Sequence, residues 1–245
     1  MTHWASSFYD LQGRLTGCYD SVIHPYHHEL ATRATRFLGG PGRVLELGAG
    51  GGQFAVAARM QGHAVTAIEL VPAAARRIQA LAGEHAARVR VINGDFYTVD
   101  AGGPFDLVCY WDGFGIGADE DQRALLRRVA GWLAPGGAAL VEAYTPWYWA
   151  RHAGFTRRAP GYVQTYDFDA DTCTLLDTYA PEGEAAQTQR LRCYSPADLR
   201  LLLQGTGVTV QDVWPGGRFD GDTGTWHPSV PLRECMSYTA VLRRA

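Results

Sequence analysis

Acids and glycines fall together in one short stretch, in a pattern suited to holding a nucleoside. Glu46 is followed by Gly48, Ala49, Gly50 and Gly52, and a second acid, Glu69, closes an apolar run. Glu69 stands about 20 residues beyond the glycines, where nucleoside-binding α/β folds put the acid that holds the ribose. A carboxylate suits that task because both ribose hydroxyls are donors. The glycines let the chain turn sharply and approach a ligand closely. Helical composition from Gln53 onward puts them at a helix N-terminus, whose free N–H groups and dipole favour an anion. A nicotinamide-binding turn would read G-x-G-x-x-G; Gly48 and Gly50 fit, but Gln53 stands in third place.

Further groups could move a proton. Asp112 and Glu142 each follow an apolar run, at the ends of two expected strands, and His24, His27, His28, His152 and His227 lie outside the regular alternation. Histidine titrates near neutrality, so it suits a general base. His24, His27 and His28 have the spacing of metal ligands, but no acidic cluster accompanies them, and no metal site is expected. The run 144–152 holds Tyr144, Trp147, Tyr148 and His152. That density of rings just after a strand reads as the wall of an aromatic or apolar substrate pocket. Trp226 and His227 lie in a late Gly/Pro-rich segment.

The composition narrows the chemistry. The 245 residues are 47% apolar and 19% charged, enough for one α/β domain with an ample core. A net charge of −3 gives no pull toward nucleic acid or an anionic membrane. Lysine is absent, which excludes Schiff-base and P-loop lysine chemistry. The five cysteines are odd in number and show no C-x-x-C pair, so reduced thiols in a cytoplasmic protein are expected. No leader-like or membrane-length apolar segment is seen.

The elements that must position these residues alternate. Strands are expected over 43–47, 64–68, 89–92, 105–110 and 138–143, with helices over 53–61, 73–82 and 119–132 between them. That is a doubly wound parallel sheet. Residues 1–40 read as a helical lid, broken near Gly13 and Gly17 and stopped or kinked at His24-Pro25-Tyr26. Residues 41–143 form the core, and 144–194 a small antiparallel insertion with strands over 163–168, 172–179 and 187–194. In 195–245, Ser195-Pro196-Ala197-Asp198 opens a helix with a capping box, and strands follow over 208–214 and 235–242 around a loop.

In this order and spacing, five segments resemble the motifs of class I S-adenosylmethionine (SAM) dependent methyltransferases. They are Glu46–Gly52, Glu69, Asn93-Gly94-Asp95-Phe96, Phe105-Asp106-Leu107-Val108 and Leu133-Ala134-Pro135-Gly136-Gly137. The resemblance implies a seven-stranded, mostly parallel sheet whose last strand is antiparallel. It implies that Gly48, Ala49, Gly50 and Gly52 pass the methionine part of SAM, with Glu46 orienting its ammonium. Glu69 would take the ribose, Leu70 would pack on the adenine, and Gly94, Asp95 and Phe96 would read its edge. Tyr110 and Trp111 would line the methionine end, with Tyr19 or Tyr9 of the lid beside the sulfonium. Tyr19, His24, Asp112 and His152 are the catalytic candidates, and Tyr144, Trp147, Tyr148, His152, Trp226 and His227 the substrate-binding ones. The expected activity is methyl transfer to N, O or C of a small molecule of specialised metabolism, with no nucleic-acid or membrane partner and a homodimer as the default. SAM-assisted cyclisation or C-methylation with rearrangement, and a non-catalytic SAM- or ligand-binding module, are the alternatives.

Overall fold

The computed structural model describes residues 4–221 and 223–245; residues 1–3 of the expected lid and residue 222 of the late loop lie outside them. Five apolar runs form the parallel strands β1 (Arg43–Leu47), β2 (Ala64–Glu69), β3 (Arg90–Asn93), β4 (Phe105–Phe114) and β5 (Leu133–Tyr144). Strands buried on both faces read as near-continuous apolar runs, as Val44, Leu45 and Leu47 do at about zero exposure. Helices α3 (Gln53–Met60), α4 (Pro72–Glu84) and α5 (Asp119–Trp132) connect them. Alanines in α3 (Ala55, Ala57 and Ala58, all fully buried) let it lie close on the sheet.

The full sheet adds β10 (Val208–Pro215) and β13 (Ser237–Arg244), in the order β10-β13-β5-β4-β1-β2-β3. Only β13 runs against its neighbours. The winding direction reverses between β1 and β4, and ligands of open α/β sheets bind outside the strand ends at that switch point. This is the seven-stranded architecture expected from the sequence.

Two units cover that edge. The N-terminal one comprises α1 (Trp4–Thr16), a 3₁₀ turn (Cys18–Asp20) and α2 (Pro25–Leu38). Helix α1 continues through Gly13 and ends before Gly17, and the segment stops ahead of Pro25, which opens α2. The second unit is a four-stranded antiparallel sheet of β6 (Thr156–Ala159), β7 (Tyr162–Asp169), β8 (Thr174–Pro181) and β9 (Gln187–Arg192). Phe8 and Leu11 of α1 pack on Tyr162 and Tyr179 of this sheet.

Several elements differ from the sequence reading. The aromatic run forms a short helix, α6 (Pro146–Arg151), because Pro146 at its first turn sets the helical φ. Strand β6 precedes the three expected insertion strands, β4 extends to Phe114, and the late loop holds a hairpin of β11 (Arg218–Asp220) and β12 (Thr225–His227).

Helix α7 (Pro196–Leu202) starts on the expected capping box. Ser195 Oγ accepts from the Asp198 N–H at 3.1 Å, and Asp198 Oδ2 accepts from the Ser195 N–H at 3.1 Å. Ser195→Ala should therefore lower stability by about 1 kcal/mol, a fall of roughly 2–4 °C in Tm for a chain of this size, measured by calorimetry.

Candidate active site

A cavity of about 1060 Å³ opens at the switch point, floored by the ends of β1, β2, β4 and β5 and roofed by the N-terminal unit and the insertion sheet. Its floor begins with the turn after β1. Gly48 and Gly50 take left-handed backbone, φ 63° and 54°. Gly51 is required by space: a β-carbon there would lie 2.1 Å from the carbonyl oxygen of Tyr19. Gln53 Nε2 then reaches the carbonyl oxygens of Cys18 at 3.3 Å and Ser21 at 3.2 Å, and Ser21 Oγ at 2.9 Å. The residue that spoils the nicotinamide pattern is the one that seats the lid turn on the glycine turn.

Glu69 ties this turn to the next strand. Its Oε2 accepts from the Gly50 N–H at 2.7 Å and its Oε1 from the Val71 N–H at 2.8 Å. Burial pushes its carboxyl up, while those N–H groups pull it back. Each oxygen keeps a second lone-pair direction for a donor. Asn93 Nδ2 holds the same corner by donating to the carbonyl oxygens of Glu69 and Leu70, at 2.8 and 3.1 Å.

Glu46 is 4% exposed, and its Oε2 has no partner. Burial first, and the charge of Glu69 second, push its carboxyl well above the usual range. Two residues on from Cys109, the strand neighbour of Glu46, the indole N–H of Trp111 is also buried without a partner. One orphan accepts and the other donates, which suits an α-amino acid with its ammonium and carboxylate. Leu70, Asp95 and Phe96 line the other end, where Asp95 Oδ1 already accepts from the Tyr97 N–H at 2.8 Å.

At the end of β4, Asp112 sits in left-handed backbone with φ 52°. The Tyr144 hydroxyl donates to its Oδ1. Its own N–H donates to Glu142 Oε2 at 3.2 Å, and Glu142 Oε1 accepts from Ser237 Oγ at 2.5 Å. The accessible face of Asp112 opens into the cavity, so protein surrounds it even though a ligand can touch it. That surround, then the charge of Glu142, pushes its carboxyl up to about 7.

The structure brings Tyr9, Tyr19, Glu46, Gly48, Ala49, Gly50, Glu69, Leu70, Asp95, Phe96, Tyr110, Trp111, Asp112 and Trp226 to this one cavity. Other candidates stand apart. Gly52 meets Ile78 of α4, and Gly94 meets Val99; neither lines the cavity. His24 is exposed at the head of α2, and it is His27 that faces inward, held below the ordinary imidazole range by burial. His152 ends α6, its Nδ1 2.7 Å from the Tyr148 carbonyl oxygen and its ring stacked on Tyr148. Trp147 and Tyr148 pack with Leu175 and Cys193 behind the wall, where the helical turn points them away from the ligand space. Tyr144 stacks on Trp149 while its hydroxyl serves Asp112. His227 faces Asp220 across the hairpin at 3.9 Å. Sequence reasoning missed Gln164, Tyr166 and Tyr179, which line the insertion side. Their alternation along β7 and β8 was the available signal.

Buried acids at the ends of β1 and β2, a glycine turn between them and a sheet that reverses there are features of the class I methyltransferase fold. Residues 44–137 match the family model described as a methyltransferase domain. That match makes residues 44–137 a methyltransferase-type core. No curated protein sequence matches the chain. Among solved structures, a SAM-dependent methyltransferase from Clostridium acetobutylicum shares the fold with TM-score 0.73 at 12% identity, covering 98% of each chain. The CcbJ methyltransferase of Streptomyces caelestis gives 0.71 at 20% identity, covering 91% of this chain and 90% of its own. A SAM-bound amino pentose methyltransferase from Micromonospora echinaspora gives 0.59 at 19%, covering 99% and 98%.

Gln53→Ala releases the lid turn from the glycine turn. SAM affinity should fall roughly tenfold, the worth of one or two hydrogen bonds. Cleavage by trypsin at Arg14 should quicken while the far-ultraviolet spectrum stays unchanged. Unchanged affinity and cleavage would remove Gln53 from this role.

Proposed function

We propose that the protein transfers the methyl group of SAM to a nucleophilic heteroatom of a small-molecule acceptor, with Asp112 as the general base. The arrangement of Asp112 carries this reading. It is the carboxylate at the acceptor side of the cavity, oriented by Tyr144 and Glu142, and its pKa near 7 suits proton transfer at neutral pH.

When bound, SAM supplies an electrophilic methyl on a sulfonium whose departing thioether is neutral. Glu46 would hold the ammonium and Glu69 the ribose hydroxyls. Leu70, Asp95 and Phe96 would hold the adenine. Tyr19 and Tyr9 close the roof: Tyr19 sits against Gly50, and Gln189 Nε2 donates to the Tyr9 hydroxyl at 2.6 Å. Burial first, then Glu69 for Tyr19 and Asp112 for Tyr9, keeps both phenols protonated. They exclude water and orient; Asp112 takes the proton the acceptor loses. Displacement at carbon depends on such alignment and dryness. The Micromonospora enzyme is involved in calicheamicin biosynthesis, which supports an acceptor from specialised metabolism.

Glu69→Ala should abolish micromolar SAM binding in a calorimetric titration, and failure of the wild type to bind SAM would sink the assignment. For Asp112, kcat/KM should rise with pH through about 7 and level off above it. Asp112→Asn should cost roughly 10²–10⁴-fold in kcat and erase that rise, with SAM affinity retained. Stability follows the opposite course. An unfolded aspartate ionises near pH ~4, so the raised folded value costs the wild type stability as pH climbs from there through about 7. Asp112→Asn should therefore unfold at a higher temperature than wild type at pH 8, with the gain gone by about pH 4.

A further inference from the structure

The insertion sheet turns a polar face inward. Pairing puts Gln164 opposite Tyr179 and Tyr166 opposite Asp177, with Gln189 beside Asp177 on the next strand. Side chains that face each other across a pair share a side of the sheet, so these residues form one patch. Gln164, Asp177 and Gln189 are only 4%, 6% and 8% exposed. A sheet face serving only to pack α1 would be apolar, as it is where Leu191 meets Ala5 and Tyr162 meets Phe8 and Leu11. Buried polar groups are costly unless satisfied, and here they gather where Gln164, Tyr166, Tyr179 and Arg157 line the cavity.

The patch has a fixed polarity. Gln164 Nε2 donates to the Asp177 carboxylate, 3.0 Å from Oδ1 and 3.2 Å from Oδ2, and lies 2.9 Å from the Tyr179 hydroxyl and 3.2 Å from that of Tyr166. An ionised carboxylate only accepts, so Asp177 holds the amide nitrogen of Gln164 and leaves the amide oxygen, the other prong, for a donor. Two phenol hydroxyls flank it. Across the cavity stand Asp112 and Glu142. Asp112 and Glu142 line the cavity and Asp177 sits behind Gln164, while two guanidiniums, Arg33 and Arg157, line it as well, Arg157 donating to the Tyr162 hydroxyl at 2.6 Å. The aromatic run that would have walled an apolar pocket is packed behind, around Leu175 and Cys193.

We propose that this patch is the acceptor-recognition site, and that the acceptor is a polyhydroxylated amine such as an amino sugar or aminocyclitol, its hydroxyls read by Gln164, Tyr166 and Tyr179 and its amine brought to Asp112. This rests on the methyl-transfer reading above. In the step, the lone pair of the neutral amine forms the N–C bond as the C–S bond breaks. The thioether leaves neutral, and the ammonium proton so created passes to the Asp112 carboxylate. Asp177 is a positioning residue that acts through Gln164.

The test offers labelled SAM to the full chain with two pools of matched size, one of amino sugars and aminocyclitols, the other of phenols and aromatic amines. Label should enter the first pool. On the best acceptor found, Gln164→Leu should raise KM tenfold or more, with kcat within about threefold and SAM affinity unchanged. Asp177→Asn should shift KM in the same direction. Tyr166→Phe, which removes one hydroxyl, gives the same reading if Gln164→Leu fails to fold. Label confined to the aromatic pool, no label in either pool while SAM binds, or a KM indifferent to these variants would each overturn the acceptor class and leave the cofactor assignment standing. Absence of SAM binding would instead strike the proposed function itself.

Discussion

One buried carboxylate sets the geometry at the switch point. Glu69 accepts one N–H from the turn after β1 and one from the turn after β2, so two loops that neighbour only through strand pairing are held as one surface. Asn93 and the Gly94 N–H then bind the Glu69 corner to the end of β3. Three strand ends meet on this junction. It is stable because backbone N–H groups, not water, solvate the charge, and because lone pairs remain on the side facing the cavity. The lid, the glycine turn and the adenine end all take their positions from it.

The rest of the site distributes negative charge along the floor. Glu46, Glu69, Asp112 and Glu142 all line the cavity, each delivered by the end of a different strand. Burial raises the carboxyls of Glu46, Glu69 and Asp112 in common, and a cationic ligand beside them would favour their ionised forms.

The core was legible in the sequence because its signals are local. A glycine turn, an acid ending an apolar run and a Pro-Gly-Gly turn before a strand are each fixed by neighbours within a few residues. The acceptor wall was not legible for two physical reasons. Tyr162, Gln164 and Tyr166 alternate with Val163 and Thr165 in β7, and period two tells which residues share a face without telling which face is buried. The pattern alone therefore does not place Gln164 or Asp177 on a buried face. The run at Tyr144–His152 read as a ligand wall because its rings are dense. Pro146 starts a helix there, and the helix turns Trp147 and Tyr148 into the packing between sheet and insertion, leaving Tyr144 alone to reach Asp112. The histidines were attractive for their titration range, yet His24 and His152 occupy helix ends, where backbone geometry decides their orientation.

The seat of the lid turn on Gly51 also dictates a sequence of arrivals. With the Tyr19 carbonyl directly above the glycine turn and Gln53 gripping the residues on either side of it, the wall over the cofactor pocket is assembled from the roof itself. Under the proposed reading, a nucleoside would enter before that roof seats, and an acceptor would meet a chamber the cofactor has already shaped.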